Sequence, residues 1–150
     1  MTARRARVLA LDLGTARIGL ALSDPLGVTA QPSGKLDRRA LKRDLGSIVD
    51  LVREHEVATV VIGHPLLMSG EAGTRAKDAE AFAAKLRDAV PCPVVLWDER
   101  LTTVQATRAL LEGDVRRSRR REVVDAAAAT LLLQSWLDAR PQDQRGSSST

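Results

Sequence analysis

Apolar and polar positions alternate between two regimes along this chain. Residues 7 to 13 (Arg-Val-Leu-Ala-Leu-Asp-Leu) form an almost unbroken apolar run that ends on a carboxylate, the pattern of a strand buried on both faces. Gly14 and Thr15 open a turn, and Ile18 to Ser23 reads as a second strand returning beside the first. Asp24-Pro25-Leu26-Gly27 is a turn signal. Residues 28 to 36 form an irregular third strand, confined to an edge by Pro32 and Gly34.

The period then changes. With Asp37 as N-cap, Leu41, Leu45, Ile48, Val49 and Val52 recur at helical spacing. Val57 to Gly63 is a short apolar strand. Residues 74 to 89 place Ala79, Phe82, Ala83, Leu86 and Val90 on one helical stripe, and Pro93 to Trp97 is another buried strand. A helix is expected over 103–112 and a final one over about 122–138. The tail 139–150, ending Gly-Ser-Ser-Ser-Thr, has nothing to bury and is expected to be disordered.

Three antiparallel strands followed by two strands reached through helical crossovers predict one α/β domain over residues 1–138. Its mixed five-stranded sheet has the order 3-2-1-4-5 and helices on both faces. Such sheets place ligands at the carboxyl ends of their parallel strands. Acids stand at those ends.

Asp12 lies on the Val8–Ala10 side of the first strand, where a buried carboxylate is costly unless paired or bound to metal; it equally suits a cap of the Gly14–Thr15 turn. Asp98 and Glu99 close the fifth strand at the same edge. Strand alternation lets only one of them join Asp12, leaving the other to cap the next helix or pair with Arg100. Asp125 shares a helical stripe with Ala128, Ala129, Leu132 and Trp136, inside the apolar face rather than at a cap; the competing reading is an acid favoured by the helix dipole. Clustered carboxylates repel one another unless a cation neutralises them. Oxygen-only donors suit Mg²⁺ or Mn²⁺ rather than zinc.

Composition narrows the classes. The sole cysteine, Cys92, rules out an internal disulfide and a thiolate cluster. Phe82, Trp97 and Trp136 are the only aromatics, too few for a base-stacking platform. No apolar run is long enough to span a bilayer and the start is no signal peptide, so the expected compartment is the cytoplasm. His55 reads as a surface residue and His64 as a loop residue without catalytic role. Net charge is +4 and the pI about 10.0, carried mainly by arginine. That composition fits either a polyanion partner or genomic bias. The run Arg116-Arg117-Ser118-Arg119-Arg120-Arg121 stands just before the helix bearing Asp125 and is expected to clamp a phosphate backbone, with Arg17 and Arg100 as secondary contacts.

Several strings together resemble the YqgF or RuvX family of Holliday junction resolvase-like nucleases. They are Leu11-Asp12-Leu13-Gly14-Thr15 with Arg17-Ile18-Gly19, then Ser23-Asp24, Val61-Ile62-Gly63-His64-Pro65-Leu66, Asp98-Glu99-Arg100-Leu101-Thr102-Thr103 and Val124-Asp125-Ala126-Ala127-Ala128. They run in the family's order over roughly residues 7 to 138. The resemblance implies an RNase H-like fold and a metal-dependent phosphodiesterase, for which two Mg²⁺ (or Mn²⁺) ions among the acids are the expected arrangement. Its metal-binding and catalytic triad falls on Asp12, Glu99 and Asp125, with Glu99 preferred over Asp98. The implied partners are nucleic acid, either pre-16S rRNA at its 5′ end or branched DNA, and a ribosome precursor, with the protein a monomer or homodimer. Ala16 departs from the family, which carries a basic residue there.

Two other classes remain open at this level. One is a catalytically inactive nucleic-acid or ribosome-binding module. The other is an actin-like or sugar-kinase-like ATPase suggested by Asp12-Leu13-Gly14-Thr15, disfavoured because such proteins close two domains over ATP and this chain has one.

Overall fold

The structure, a computed structural model, describes residues 7–102 and 117–140, with residues 117–126 described by their backbone. Five strands form one sheet: β1 (Val8–Leu13), β2 (Arg17–Ser23), β3 (Ala30–Asp37), β4 (Thr59–His64) and β5 (Val94–Asp98). The order is β3-β2-β1-β4-β5. β1 pairs antiparallel with β2 and parallel with β4, and β4 pairs parallel with β5. The helices are α1 (Leu41–Glu54), α2 (Thr74–Arg87) and α3 (Arg117–Ala139), with a 3₁₀ turn at Glu99–Leu101 after β5. The expected sheet order and mixed directions are thus borne out.

Every residue of β1 is buried, as its central place requires. Strand alternation divides its contacts between two cores. Leu9, Leu11 and Leu13 join Ile18, Leu20, Ile62, Phe82 and Leu86 in an apolar cluster beneath α1 and α2. Val8 and Ala10 join Ala21 and Val61 in a smaller cluster beneath α3, which contributes Ala128, Ala129, Leu132, Leu133 and Leu137.

Polar clips complete the seating of α3. The Gln134 carboxamide accepts from the Ala30 amide at 2.9 Å and donates to the Val28 carbonyl at 3.2 Å. The Trp97 indole donates to the Ser135 hydroxyl at 3.2 Å. Arg140 donates to the Gly27 carbonyl at 2.9 Å and stacks its guanidinium 4.8 Å from the Trp136 ring centroid.

Three boundaries depart from the sequence expectation. Asp37 does not cap α1; it ends β3, opposite Arg17, because strand pairing extends that far. The helix starts at Leu41, and Asp44 in its first turn accepts from the Arg39 amide at 3.1 Å. α3 begins at Arg117 rather than near 122, so residues 117–121 are its first turns; arginine is a good helix former. The helix expected over 103–112, Arg116 and residues 141–150 lie outside the described residues. Among the described residues, no helix is long and apolar enough to cross a membrane.

Candidate metal and nucleic-acid site

β1 and β4 run parallel with Leu11 opposite Ile62, so the next residues on the two strands are Asp12 and Gly63. Asp12 lies on the α3 face by alternation with Val8 and Ala10, and it is 2% exposed. Its partner across the β1–β2 ladder is Gly19, which brings no side chain against it.

Glu99 reaches the same place from the 3₁₀ turn after β5 and is 1% exposed. A β-carbon built on Gly63 would lie 2.6 Å from Glu99 Oε2 and 3.3 Å from Leu132 Cδ2. Residue 63 is therefore glycine because the Glu99 carboxylate fills the space of its side chain, under α3. Two buried acids from distant parts of the chain thus flank one point of the sheet edge.

The neighbouring acid takes a different role. Asp98 accepts from the Arg100 amide at 2.9 Å, and its carboxylate takes both Nε and Nη2 of Arg100, the latter at 2.8 Å. This hydrogen bonding to the Arg100 guanidinium holds the Asp98 carboxyl below its ordinary range. Asp98 caps and pairs, as one of the two acids was expected to. Arg100 is correspondingly engaged, with a side chain 32% exposed.

Arg17 opens β2 on the side shared with Ala21, two residues before Gly19, and so borders Asp12 on the α3 face. Asp125 stands in α3 two turns before Leu132, and Arg117, Arg119, Arg120 and Arg121 occupy the turns before it. Nothing is described of these five side chains. Among the described residues no group of three metal-ligating side chains occurs; the described part of the expected triad is Asp12 and Glu99.

His64 is the last residue of β4 rather than a loop residue. Next to Gly63 in sequence, it points to the opposite face, where its Nε2 meets Glu80 Oε2 of α2 at 2.7 Å.

A cleft of about 500 Å³ opens on that opposite face, floored by Leu13, Gly14 and Thr15 and walled by Arg38, Arg39 and Arg75. The sequence reading passed over these arginines. Their only sequence signal is Arg38-Arg39 between a strand and a helix, and Arg75 reaches them solely through the fold.

A five-stranded sheet of this order, with acids at the carboxyl edge of its parallel strands and helices on both faces, is an RNase H-like fold. Solved structures bear this out. The T. thermophilus RuvC in complex with Holliday junction substrate superposes with a TM-score of 0.56 at 13% identity, covering 89% of this chain and 96% of that one. Free Thermus thermophilus RuvC gives 0.54 at 12% identity, covering 88% and 95%. At such identities the likeness concerns the fold alone.

The family model for RuvX, described as Holliday junction resolvase, matches residues 6–139, and the chain belongs to that family. Among its curated relatives is a protein of Myxococcus xanthus (strain DK1622) named "Putative pre-16S rRNA nuclease", 53% identical over 138 residues and matched over 91% of each chain. A Moorella thermoacetica protein of the same name is 49% identical over 137 residues, covering 91% of this chain and 98% of that one.

Proposed function

We propose that this member of a nuclease family is a divalent-metal-dependent endonuclease that hydrolyses phosphodiester bonds, with the 5′ end of pre-16S rRNA as its substrate. One observation carries the reading most: Asp12 and Glu99, both buried, flank a single point of the sheet edge, where Gly63 leaves room for a carboxylate. Charged oxygens withdrawn from water in this way suit a hard cation. The donors present therefore fit Mg²⁺ or Mn²⁺, and Asp125 from α3 would complete the set.

When bound, the metal supplies an activated water and charge stabilisation at the reacting phosphate. The chain's own groups do the positioning. Asp12 and Glu99 hold their carboxylates at fixed strand ends, and α3 excludes bulk water from the side they share. Arg17 bears on the phosphate beside Asp12. Arg116, Arg117, Arg119, Arg120 and Arg121 bind the flanking backbone, and Arg100 contributes once exchanged from Asp98. Residues 1–138 act as one nuclease unit in the cytoplasm, against a ribosome precursor. Branched DNA of the Holliday junction type, after which the family is named, is the second substrate considered: trimming one RNA end needs only a monomer, whereas symmetric junction cleavage needs a homodimer.

The test pairs Mg²⁺ titration, read as a shift in melting temperature, with cleavage of pre-16S RNA and of a four-way DNA junction. Asp12→Asn should remove the Mg²⁺-induced shift and lower cleavage about 1,000-fold or more, because a bound cation contributes several kcal/mol to such transition states. Cleavage retained in Asp12→Asn would overturn the assignment. A wild-type protein that binds RNA without cutting either substrate would instead identify an inactive binding module.

A further inference from the structure

The cleft over the sheet rim from the two acids is built around arginines. Its floor begins at Leu13, the residue after Asp12. Alternation turns Asp12 toward α3 and Leu13 toward α1 and α2, so the acids and the cleft lie on opposite sides of one strand end. A chain crossing that rim meets both.

Within the cleft the charges are unevenly committed. Arg38 is a structural bolt: Nη1 donates to the Gly14 carbonyl at 2.8 Å and to Asp78 at 2.8 Å, while Nη2 meets the other Asp78 oxygen at 3.3 Å. That carboxylate is thereby neutralised. The second acid of the lining, Asp44, accepts from the Arg39 amide. Arg75 is steadied by one bond from Nη2 to the Leu13 carbonyl at 3.1 Å, and a guanidinium has further donors to offer. The Arg39 side chain is 59% exposed, 3.9 Å from Asp37. Two guanidiniums thus face a cleft whose carboxylates are already engaged. Gly14 keeps the β1–β2 turn below it tight: a β-carbon there would lie 2.9 Å from the Arg17 carbonyl oxygen.

We propose that this cleft holds a backbone phosphate of the nucleic-acid strand, beside the scissile one, between Arg39 and Arg75 above Gly14 and Thr15. The inference rests on the nuclease reading, because the strand must pass the Asp12–Glu99 edge to reach it. The contact is to phosphate and carries no base preference. It fixes the strand across the rim so that the phosphodiester at the acids is held from both sides.

The test is fluorescence anisotropy of a labelled single-stranded RNA oligonucleotide in EDTA over a series of KCl concentrations. Binding is thereby read without cleavage. Wild type is compared with Arg39→Gln, and with Arg39→Gln combined with Arg75→Gln; Arg38 is left intact because it holds the turn. Each lost phosphate contact should lower the slope of log K against log salt by about 0.7, equally for different base sequences. The double variant loses this one contact entirely and should drop by about 0.7, with Arg39→Gln alone losing part of that. Melting temperature checks the fold, and Arg39→Gln alone, at an exposed position, keeps the test valid should the double variant unfold.

An unchanged slope with wild-type binding and cleavage intact would overturn the cleft and leave the nuclease reading standing. Failure of the wild type to bind RNA would overturn both. ATP is the control for a free nucleotide: an ATP-induced melting shift lost in the variants, with RNA slopes unchanged, would assign the cleft to nucleotide and overturn the strand contact.

Discussion

The two faces of the sheet are packed on different principles. Under α1 and α2 lie large aliphatic side chains and Phe82, a core that gains its hold from buried area. Under α3 the sheet offers the smaller Val8, Ala10, Ala21 and Val61, met by Ala128 and Ala129 and by Leu132, Leu133 and Leu137. Small side chains gain less area but let helix and sheet approach closely. The difference teaches that α3 is located by close approach and by polar clips as well as by its buried leucines. It is also the helix that carries Asp125.

That contrast can be broken most forcefully at Phe82, 2% exposed. Phe82→Ala should cost about 3–5 kcal/mol, read by chemical denaturation, while the folded fraction keeps its cleavage rate because the acids sit on the other face. A large drop in rate per folded molecule would show that the faces are not independent. Next comes Ala129→Leu, at a position with no exposure. It should cost less, about 1–3 kcal/mol, yet reduce cleavage more, because it lifts α3 from the strand ends. Equal activity in the two variants would remove the distinction.

A smaller effect is expected from Gln134→Ala, which frees the Ala30 amide and the Val28 carbonyl at a cost of about 0.5–1.5 kcal/mol. The smallest concerns Asp24, in the turn that presents these groups. Partial burial pushes its carboxyl up, but bonds from the amides of Thr29, Val28 and Leu26 outweigh this and hold it below its ordinary value. Its contribution is therefore present above the unfolded carboxyl value of about 3.9 and fades as pH falls through the lower folded one. Asp24→Asn should be less stable by about 1 kcal/mol or less near neutrality. The gap in melting temperature should close on acidification.

Much of this was legible in the sequence, and for identifiable reasons. The almost wholly apolar β1, the Pro32–Gly34 interruption of β3 and the helical stripe through Phe82 are each local signals, so the strand order could be assembled. Asp12 stood out as an acid in apolar company, whereas Glu99 was set apart from Asp98 only by the family resemblance. Asp37 misled because a good capping residue was claimed by strand pairing with Arg17, a contact between segments far apart in the chain. The cleft was hidden for a related reason. Arg75 and Arg38 are ordinary surface letters until α2 is laid beside the β1–β2 turn, and no local pattern announces that meeting. Gly63 was seen as part of a motif, but its steric purpose appears only when Glu99 arrives from the next strand.

The irregularity of β3 bears on assembly. Pro32 has no amide hydrogen, Gly34 takes a φ of +86°, and the pairing with β2 shifts register between Gly19 and Ala21. An outer strand so interrupted offers no straight ladder for a neighbouring molecule to extend. Two copies are therefore kept from zipping their sheets together along this margin.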